Sequence, residues 1–291
     1  MMRTLQGKSV VITGAASGIG EALAHASAEK GARLLLADID ASGLERVVSA
    51  IRATGTECSS LVTDTGKEED IHALAEAAQL RLGGADVLIN NAGVGLLAPV
   101  DKLVTADAQW LMNINFWGVV HGCQAFIPQL RQRPDAVLVN ISSIFAMVSV
   151  PTQSIYNASK AAVRGFSDAL REELQSSNIG VLCVHPGGIK TNIANRARIT
   201  DVSLVADSDQ EMRDNFDKVA RTSPQQAATT IIHAIESRKT RVLIGADAKL
   251  MDWMFRLFPS HASHWLSNIG QWMRRRAAAN IRSPQPRDKH V

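Results

Sequence analysis

Short apolar runs, mostly Val, Ile and Leu, recur along this chain and alternate with segments of helical spacing. A short continuous apolar run is typical of a strand buried on both faces, and its alternation with helices favours right-handed crossovers and a parallel sheet. The runs predict seven strands, at 9–13, 33–37, 59–62, 87–90, 136–141, 180–184 and 241–244, and the helical segments include 20–29, 44–53, 68–81, 154–175 and 225–236. We therefore predict an α/β fold: a single doubly wound domain whose parallel sheet of about seven strands carries helices on both faces.

The same pattern predicts the organisation of the chain. No linker rich in Pro, Gly or Ser interrupts the alternation, so we expect one domain over residues 1–245. Residues 189–221 are long, polar and without a clear period, as loops that bind ligands often are. We expect this segment to form part of the substrate site, and residues 246–291 to form a C-terminal extension with a flexible tail at 274–291.

Charge is distributed unevenly. Six basic residues stand against one acidic residue in 274–291, which gives this segment a charge of +5 and leaves −2 on the preceding 273 residues. The main body therefore offers no electrostatic case for binding nucleic acid. Aromatic and basic residues meet in the segment 252–276, which we expect to cover the substrate cleft or a subunit contact, with membrane contact as the alternative.

Cysteine and apolar content predict a reducing compartment. Cys58, Cys123 and Cys183 are an odd number at wide spacing, which argues against a disulfide framework and a zinc site. The histidines lack metal-ligand spacing, so we assign no metal. The N-terminal apolar run is too short for a signal peptide, and no stretch approaches the roughly 18 apolar residues of a membrane span. We expect a cytoplasmic protein.

The first predicted strand leads directly into the glycine-rich segment 13–20, and a helical pattern follows at once. Glycines at such a turn let the backbone approach a pyrophosphate, which binds at the positive end of the helix. Asp38 ends the second strand at the spacing expected for the carboxylate that binds the adenosine ribose. No basic residue lies in the glycine loop, and Ile39 follows Asp38. The pattern favours NAD over NADP.

Tyr156, the one tyrosine of the chain, and Lys160 are four residues apart in a helical pattern. Their side chains therefore lie on one face. A phenol is a poor base at neutral pH, but a neighbouring ammonium favours the phenolate and lowers the phenol pKa. The pair is consistent with acid/base chemistry, although such a pair alone is common on helix surfaces.

Together these features resemble the short-chain dehydrogenase/reductase family, over residues 8 to about 191. The motifs that carry the resemblance occur in order: Gly14, Gly18 and Gly20, then Asn90-Asn91-Ala92-Gly93, Asn115, Ser142-Ser143, Tyr156 with Lys160, Pro186-Gly187 and Thr191. The resemblance implies a Rossmann fold, a nicotinamide cofactor and a reaction that interconverts an alcohol and a carbonyl compound.

The resemblance also implies roles for single residues. Ser143 would bind the substrate oxygen, Tyr156 would transfer the proton, and Lys160 would bind the nicotinamide ribose and lower the Tyr156 pKa. Asn115 would hold a water in a proton relay. The cofactor would contact Gly14, Ser17, Gly18, Ile19, Gly20, Asp38, Asp64, Thr65, Asn91, Ala92, Gly93, Tyr156, Lys160, Pro186, Gly187, Ile189 and Thr191.

Several points stay open in the sequence. Ser142 competes with Ser143, and only the spacing to Tyr156 favours the latter. His185 fits a structural role better than a catalytic one. The alternatives to an NAD-dependent oxidoreductase for a secondary alcohol or ketone are an NADP-dependent carbonyl reductase and a non-catalytic cofactor-binding protein. We expect an apolar small-molecule substrate and a homodimer or homotetramer.

Overall fold

The protein is described by a computed structural model that covers residues 4–203, 206 and 208–262. Seven parallel strands form one sheet in the order β3-β2-β1-β4-β5-β6-β7. They are β1 (Ser9–Thr13), β2 (Arg33–Asp38), β3 (Cys58–Val62), β4 (Val87–Asn90), β5 (Ala136–Ile141), β6 (Ile179–Pro186) and β7 (Arg241–Ile244). This sheet confirms the predicted strands, whose bounds shift by at most two residues.

Helices cover both faces of the sheet. They are α1 (Gly18–Glu29), α2 (Ala41–Arg52), α3 (Glu68–Leu82), α4 (Thr105–Met112), α5 (Gly118–Leu130), α6 (Ser154–Glu173), α7 (Asp209–Val219), α8 (Pro224–Glu236) and α9 (Ala246–Leu257). The core against α1, α2 and α8 contains Val10 and Ile12, whereas Val11 belongs to the core against α3, α5 and α6. Successive strand residues point to opposite faces, so burial on both sides explains the continuous apolar runs.

The strand order determines where the binding crevice of the sheet lies. The chain winds outward from β1 through β2 to β3, then returns to β4 on the other side of β1. In open α/β sheets, ligands bind at the carboxyl ends of the strands where the direction of winding reverses. The loops after β1 and β4, which contain Gly14 and Asn91, therefore lie at the predicted binding crevice.

The segment 189–221 is more structured than the sequence analysis expected. Leu96–Leu97 and Arg198–Ile199 form a short parallel ladder, and α7 follows with Ser208 as its N-cap, whose hydroxyl accepts from Glu211 N at 3.1 Å. The prediction of an unpatterned loop was wrong because α7 is mostly polar and carries only a narrow apolar stripe.

Candidate active site

The turn after β1 is built for close approach of the backbone. A Cβ on Gly20 would lie 2.0 Å from the Gly14 oxygen, so no larger residue fits there. Asn91 holds this turn from the neighbouring strand, because its Nδ2 donates to the oxygens of Thr13 and Gly14 at 2.9 and 3.0 Å. With α1 beginning at Gly18, the turn presents a helix N-terminus to the crevice, which suits a pyrophosphate.

Asp38 is oriented by the backbone around it. One carboxylate oxygen accepts from Ala16 N at 2.9 Å and the other from Asp40 N at 3.0 Å. The carboxylate is thus tied to the glycine turn and still lines the cavity beside Ile39. Arg196 also reaches this end of the cavity, where it pairs with Asp40 at 3.5 Å.

Ser142 and Ser143 have different partners, although both line the cavity. The Ser142 hydroxyl donates to the main-chain oxygen of Lys160 at 2.8 Å and so fixes the start of α6 against β5. The Ser143 oxygen accepts from Phe145 N at 3.1 Å, which leaves its proton available to another acceptor. Hydrogen bonding therefore favours Ser143 as the serine that contacts substrate.

Tyr156 and Lys160 lie together at the base of the cavity, with the Lys160 ammonium 5.9 Å from the centre of the phenol ring. Burial raises the pKa of Tyr156, and a hydrogen bond with the Ser143 side chain acts in the opposite direction. The sequence predicted a lowered pKa because it counted the lysine charge and not the burial. Lys160 donates to the Ile141 oxygen at 3.0 Å, and burial lowers its own pKa to about 8.

Asn115 is fully buried within a short π-helical segment, Asn113–Trp117, between α4 and α5. Such segments are frequent at functional sites. Its amide oxygen accepts from Val94 N at 2.8 Å, and its nitrogen donates to the Val94 oxygen at 3.0 Å. The side chain thus fixes the loop after β4, and the water that the resemblance implies for Asn115 stays a prediction.

A cavity of about 440 Å³ joins these features. It brings together sixteen of the seventeen predicted cofactor residues (Gly14, Ser17, Gly18, Ile19, Asp38, Asp64, Thr65, Asn91, Ala92, Gly93, Tyr156, Lys160, Pro186, Gly187, Ile189 and Thr191) with Ser143. The remaining two predicted residues, Gly20 and Asn115, support the lining from behind.

The family profile for short chain dehydrogenases matches residues 8–201. The chain belongs to the short chain dehydrogenase family. A relative named as the oxidoreductase SadH of Mycobacterium tuberculosis is 40% identical over 262 residues, which cover 89% of this chain and 94% of the relative. Another, named as a CLA biosynthesis dehydrogenase/reductase of Lactiplantibacillus plantarum, is 34% identical and covers 66% of this chain and 68% of its own length.

Solved structures agree with this membership. A short chain dehydrogenase/reductase from Burkholderia phymatum, in complex with NAD, has a TM-score of 0.78 and 32% identity over 88% of this chain and 96% of its own. L-sorbose reductase from Gluconobacter frateurii, in complex with NADPH and L-sorbose, has a TM-score of 0.74 and 27% identity over 84% and 97% of the two chains. This protein is an oxidoreductase of that family with a nicotinamide cofactor.

In this short chain dehydrogenase the C-terminal extension contributes to the site. The Asp247 carboxylate, at the start of α9, accepts from Gly188 N at 2.7 Å, and Met251 lines the cavity. His185 is buried below Ser143, whose main-chain oxygen lies 3.2 Å from the His185 Nδ1. Asp247 was missed because it is a short polar residue about 60 positions from the loop that it holds, and no motif marks it.

The substrate end of the cavity is apolar. Leu96 and Phe145 line it from the loops after β4 and β5, and Met212, Phe216 and Val219 line it from α7. These α7 residues recur every three or four positions and so lie on one face of the helix. The narrow apolar stripe in this polar stretch was the signal in the sequence that a helix lies beside the cavity.

Proposed function

We propose that this protein is an NAD-dependent oxidoreductase that interconverts a secondary alcohol and a ketone, with Tyr156 as its general acid/base. The observation that carries the proposal is that Ser143, Tyr156 and Lys160 line the same cavity as the glycine turn and Asp38. A non-catalytic cofactor-binding protein would not need a serine hydroxyl and a phenol side by side at the apolar end.

The cavity fits a dinucleotide by the chemistry of its lining. The glycine turn and the N-terminus of α1 would hold the pyrophosphate, Asp38 the adenosine ribose, and Lys160 the nicotinamide ribose. When bound, the nicotinamide supplies the hydride acceptor or donor. Gly93 leaves room beside the lysine, because a Cβ there would lie 3.3 Å from the Lys160 nitrogen.

In the direction of reduction, the Tyr156 phenol would donate its proton to the carbonyl oxygen as the carbonyl carbon gains a hydride. Ser143 would donate a hydrogen bond to the same oxygen and stabilise the charge that develops there. A phenol with the ordinary pKa near 10 is already protonated at neutral pH, and burial raises the pKa of Tyr156 further, which suits a general acid. Oxidation needs the deprotonated phenol, so we expect its rate to rise with pH.

The first test compares the two serines and the tyrosine. We expect Tyr156→Phe to reduce kcat about 10²–10⁴-fold and to leave NAD binding nearly unchanged, because the acid/base is removed and the ring is kept. Ser143→Ala should also lower kcat, whereas the matched variant Ser142→Ala should retain most of the rate. Steady-state kinetics and NAD titration of each variant decide; substantial activity in Tyr156→Phe would contradict the assignment.

We further propose that NAD is preferred over NADP. The Asp38 carboxylate, tied to two backbone N–H groups, would repel a 2′-phosphate by an interaction of order 1 to 4 kcal/mol at a few ångströms. That range corresponds to a preference between about fivefold and about a thousandfold. Arg196 is the observation that favours NADP, but Asp40 already offsets its charge.

The double variant Asp38→Ser with Ile39→Arg tests this preference. It removes the carboxylate and adds a cation for the 2′-phosphate, so the ratio of kcat/KM for the two cofactors should reverse. Ile39→Arg alone, which keeps the carboxylate, is the matched control and should shift the ratio much less. A parent enzyme that already uses both cofactors equally would refute the NAD preference and leave the reaction class standing.

The substrate class follows from the apolar lining by Leu96, Phe145 and the α7 stripe. We propose an apolar secondary alcohol or ketone. A panel of aliphatic, aromatic and polycyclic alcohols, followed at the absorbance of the reduced cofactor, would rank them. A preference for polyols would contradict the proposal. The oligomeric state and the cytoplasmic location stay predictions.

A further inference from the structure

The outer face of α9 is apolar and exposed. Leu250, Trp253 and Leu257 are 58%, 58% and 53% exposed, and Phe258, directly after the helix, is 42% exposed. Residues spaced by three and four positions lie on one face of a helix, so these side chains form one stripe, the α9 stripe. A contiguous stripe of large apolar side chains marks an interaction site, because single exposed apolar residues are ordinary and clusters are not.

The charges around the α9 stripe are positive. Lys249 and Arg256 are exposed beside it. The two carboxylates of α9 are turned away: Asp247 accepts from Gly188 N, and Asp252, whose side chain is 12% exposed, pairs with Arg241 at 2.6 Å and with Arg256 at 3.0 Å. The face that α9 offers to a partner therefore combines apolar and cationic groups.

The sequence beyond α9 continues this composition. Residues 274–291 carry a charge of +5, and the preceding 273 residues carry −2, so the positive charge of the chain is concentrated just after the α9 stripe. Trp265 and Trp272 also fall in this part of the sequence. A second copy of the chain would carry the same excess of positive charge in this part of its sequence, whereas an anionic surface would be attracted to it.

We propose that the α9 stripe binds the surface of an anionic lipid bilayer. Apolar side chains flanked by lysine and arginine are the pattern of helices that lie in the membrane interface, where tryptophan and leucine enter the acyl boundary and the cations meet lipid phosphates. In the described part of the chain no helix is long and apolar enough to cross a membrane.

The position of α9 connects lipid binding with access to the cavity. On its inner side, Met251 lines the cavity and Ala248 is fully buried against the residues around Ile144. The helix that touches lipid is therefore also a wall of the apolar substrate end. In this respect the inference rests on the proposed function: an apolar alcohol dissolved in the bilayer would enter the cavity from the lipid side.

Co-sedimentation of the full chain with vesicles tests the proposal. We expect binding to vesicles that contain phosphatidylglycerol, little binding to pure phosphatidylcholine, and weaker binding at high salt. The triple variant Leu250→Ser, Trp253→Ser and Leu257→Ser should bind the anionic vesicles at least tenfold less. Leu80→Ser is the matched control, because Leu80 is an apolar residue on α3 that is 85% exposed, and its loss should change nothing.

Equal thermal stability and equal NAD affinity of the triple variant and the parent show that the variant is folded. The proposal is overturned if the parent ignores anionic vesicles or if the triple variant binds them as well as the parent. A triple variant that converts an oligomer to a smaller species, with vesicle binding unchanged, would assign the stripe to a second copy instead. Vesicle binding needs neither substrate nor turnover, so its failure leaves the proposed reaction untouched.

Discussion

Lys160 carries an ammonium group whose position lowers the stability of the fold at neutral pH. Burial lowers its pKa from 10.5 to about 8, so between these values the unfolded chain binds more protons and stability rises with pH. Lys160→Met keeps the length and removes the charge. We expect the variant to be more stable than the parent at pH 7 by about 1–3 kcal/mol, with the difference shrinking toward pH 10.5.

Urea unfolding at a series of pH values measures this difference. The variant should at the same time lose activity and NAD affinity, because one ammonium serves the phenol and the ribose. A variant that is less stable than the parent at every pH would show that the hydrogen bond to Ile141 outweighs the burial of the charge.

His185 contributes to the pH dependence of stability with the same sign as Lys160, but in a window on the acid side. Burial lowers its pKa from 6.5 to about 4, so it contributes stability that is present above pH 6.5 and is lost as pH falls toward 4. His185→Gln retains a polar partner for the Ser143 oxygen. Between pH 6.5 and pH 4, we expect its free energy of unfolding to fall by up to about 3 kcal/mol less than that of the parent. Thermal unfolding of both proteins from pH 7 to pH 4 checks it; parallel curves would contradict the assignment.

At the residue scale, the sequence predicted which residues share the cavity better than it predicted their environment. The Ser143, Tyr156 and Lys160 side chains line one cavity, as the family resemblance implied. The direction of the Tyr156 pKa shift was wrong, because burial depends on residues such as Phe145 that pack around the ring from elsewhere in the chain. The partner of the Ser142 hydroxyl, the Lys160 oxygen, also depends on how α6 meets β5.

At the scale of elements, the segment around the short ladder is attached to the rest of the molecule by ion pairs. Arg198 pairs with Asp107 and lies 3.7 Å above the Trp110 ring centre, and Lys102 pairs with Asp201. These contacts attach the ladder, whose residues Leu96 and Leu97 line the cavity, to the rest of the fold. Surface ion pairs contribute little to stability, so we expect the loss of one to affect substrate binding more than folding.

We expect Arg198→Ala to raise the KM for the alcohol several-fold and to leave the NAD dissociation constant within about twofold, because the ladder borders the substrate end. Lys30→Ala, which removes an exposed ion pair with Glu236 far from the ladder, is the control and should leave both constants unchanged. Steady-state kinetics with saturating NAD, together with NAD titration, separate the two constants. An NAD affinity that falls with the substrate affinity would contradict the role.

Elements whose apolar residues follow a clear pattern could be predicted from the sequence, and the other elements could not. The strands of the sheet are buried on both faces, so their apolar runs stand out, and α1 follows directly from the glycine turn. By contrast, α7 is polar on most of its surface, and the π-helical segment around Asn115 is set by hydrogen bonds to Val94 and Ser159 across the fold. Local periodicity carries no information on such distant partners.

At the scale of the whole molecule, the two parts of the C-terminal extension, α9 and the segment 274–291, differ in how they relate to the cofactor site. The start of α9 holds the loop after β6 through Asp247, which the sequence analysis placed outside the catalytic domain. A Cβ on Gly187 would lie 2.3 Å from the Asp247 carboxylate, so loop and helix are in close contact. The segment 274–291 lies outside the described residues, and its predicted flexibility stays a prediction.

Two variants therefore divide the extension into a part that the site needs and a part that it does not. Deletion of 274–291 should leave folding and NAD binding unchanged, because the strands and site motifs end well before it. Asp247→Ala should weaken NAD binding about tenfold, since a hydrogen bond to a charged acceptor contributes about 1.5–3 kcal/mol and its loss frees the Gly187–Gly188 loop.

Asp247→Asn is the matched control, because its amide oxygen can still accept from Gly188 N, and it should retain most of the NAD affinity. Calorimetric titration with NAD and thermal unfolding of the parent, the deletion variant and the two Asp247 variants distinguish the outcomes. If Asp247→Ala binds NAD like the parent, α9 packs beside the loop without positioning it. Loss of folded protein on deletion of 274–291 would instead make the tail part of the structure, and the boundary of the functional extension would move from α9 to the end of the chain.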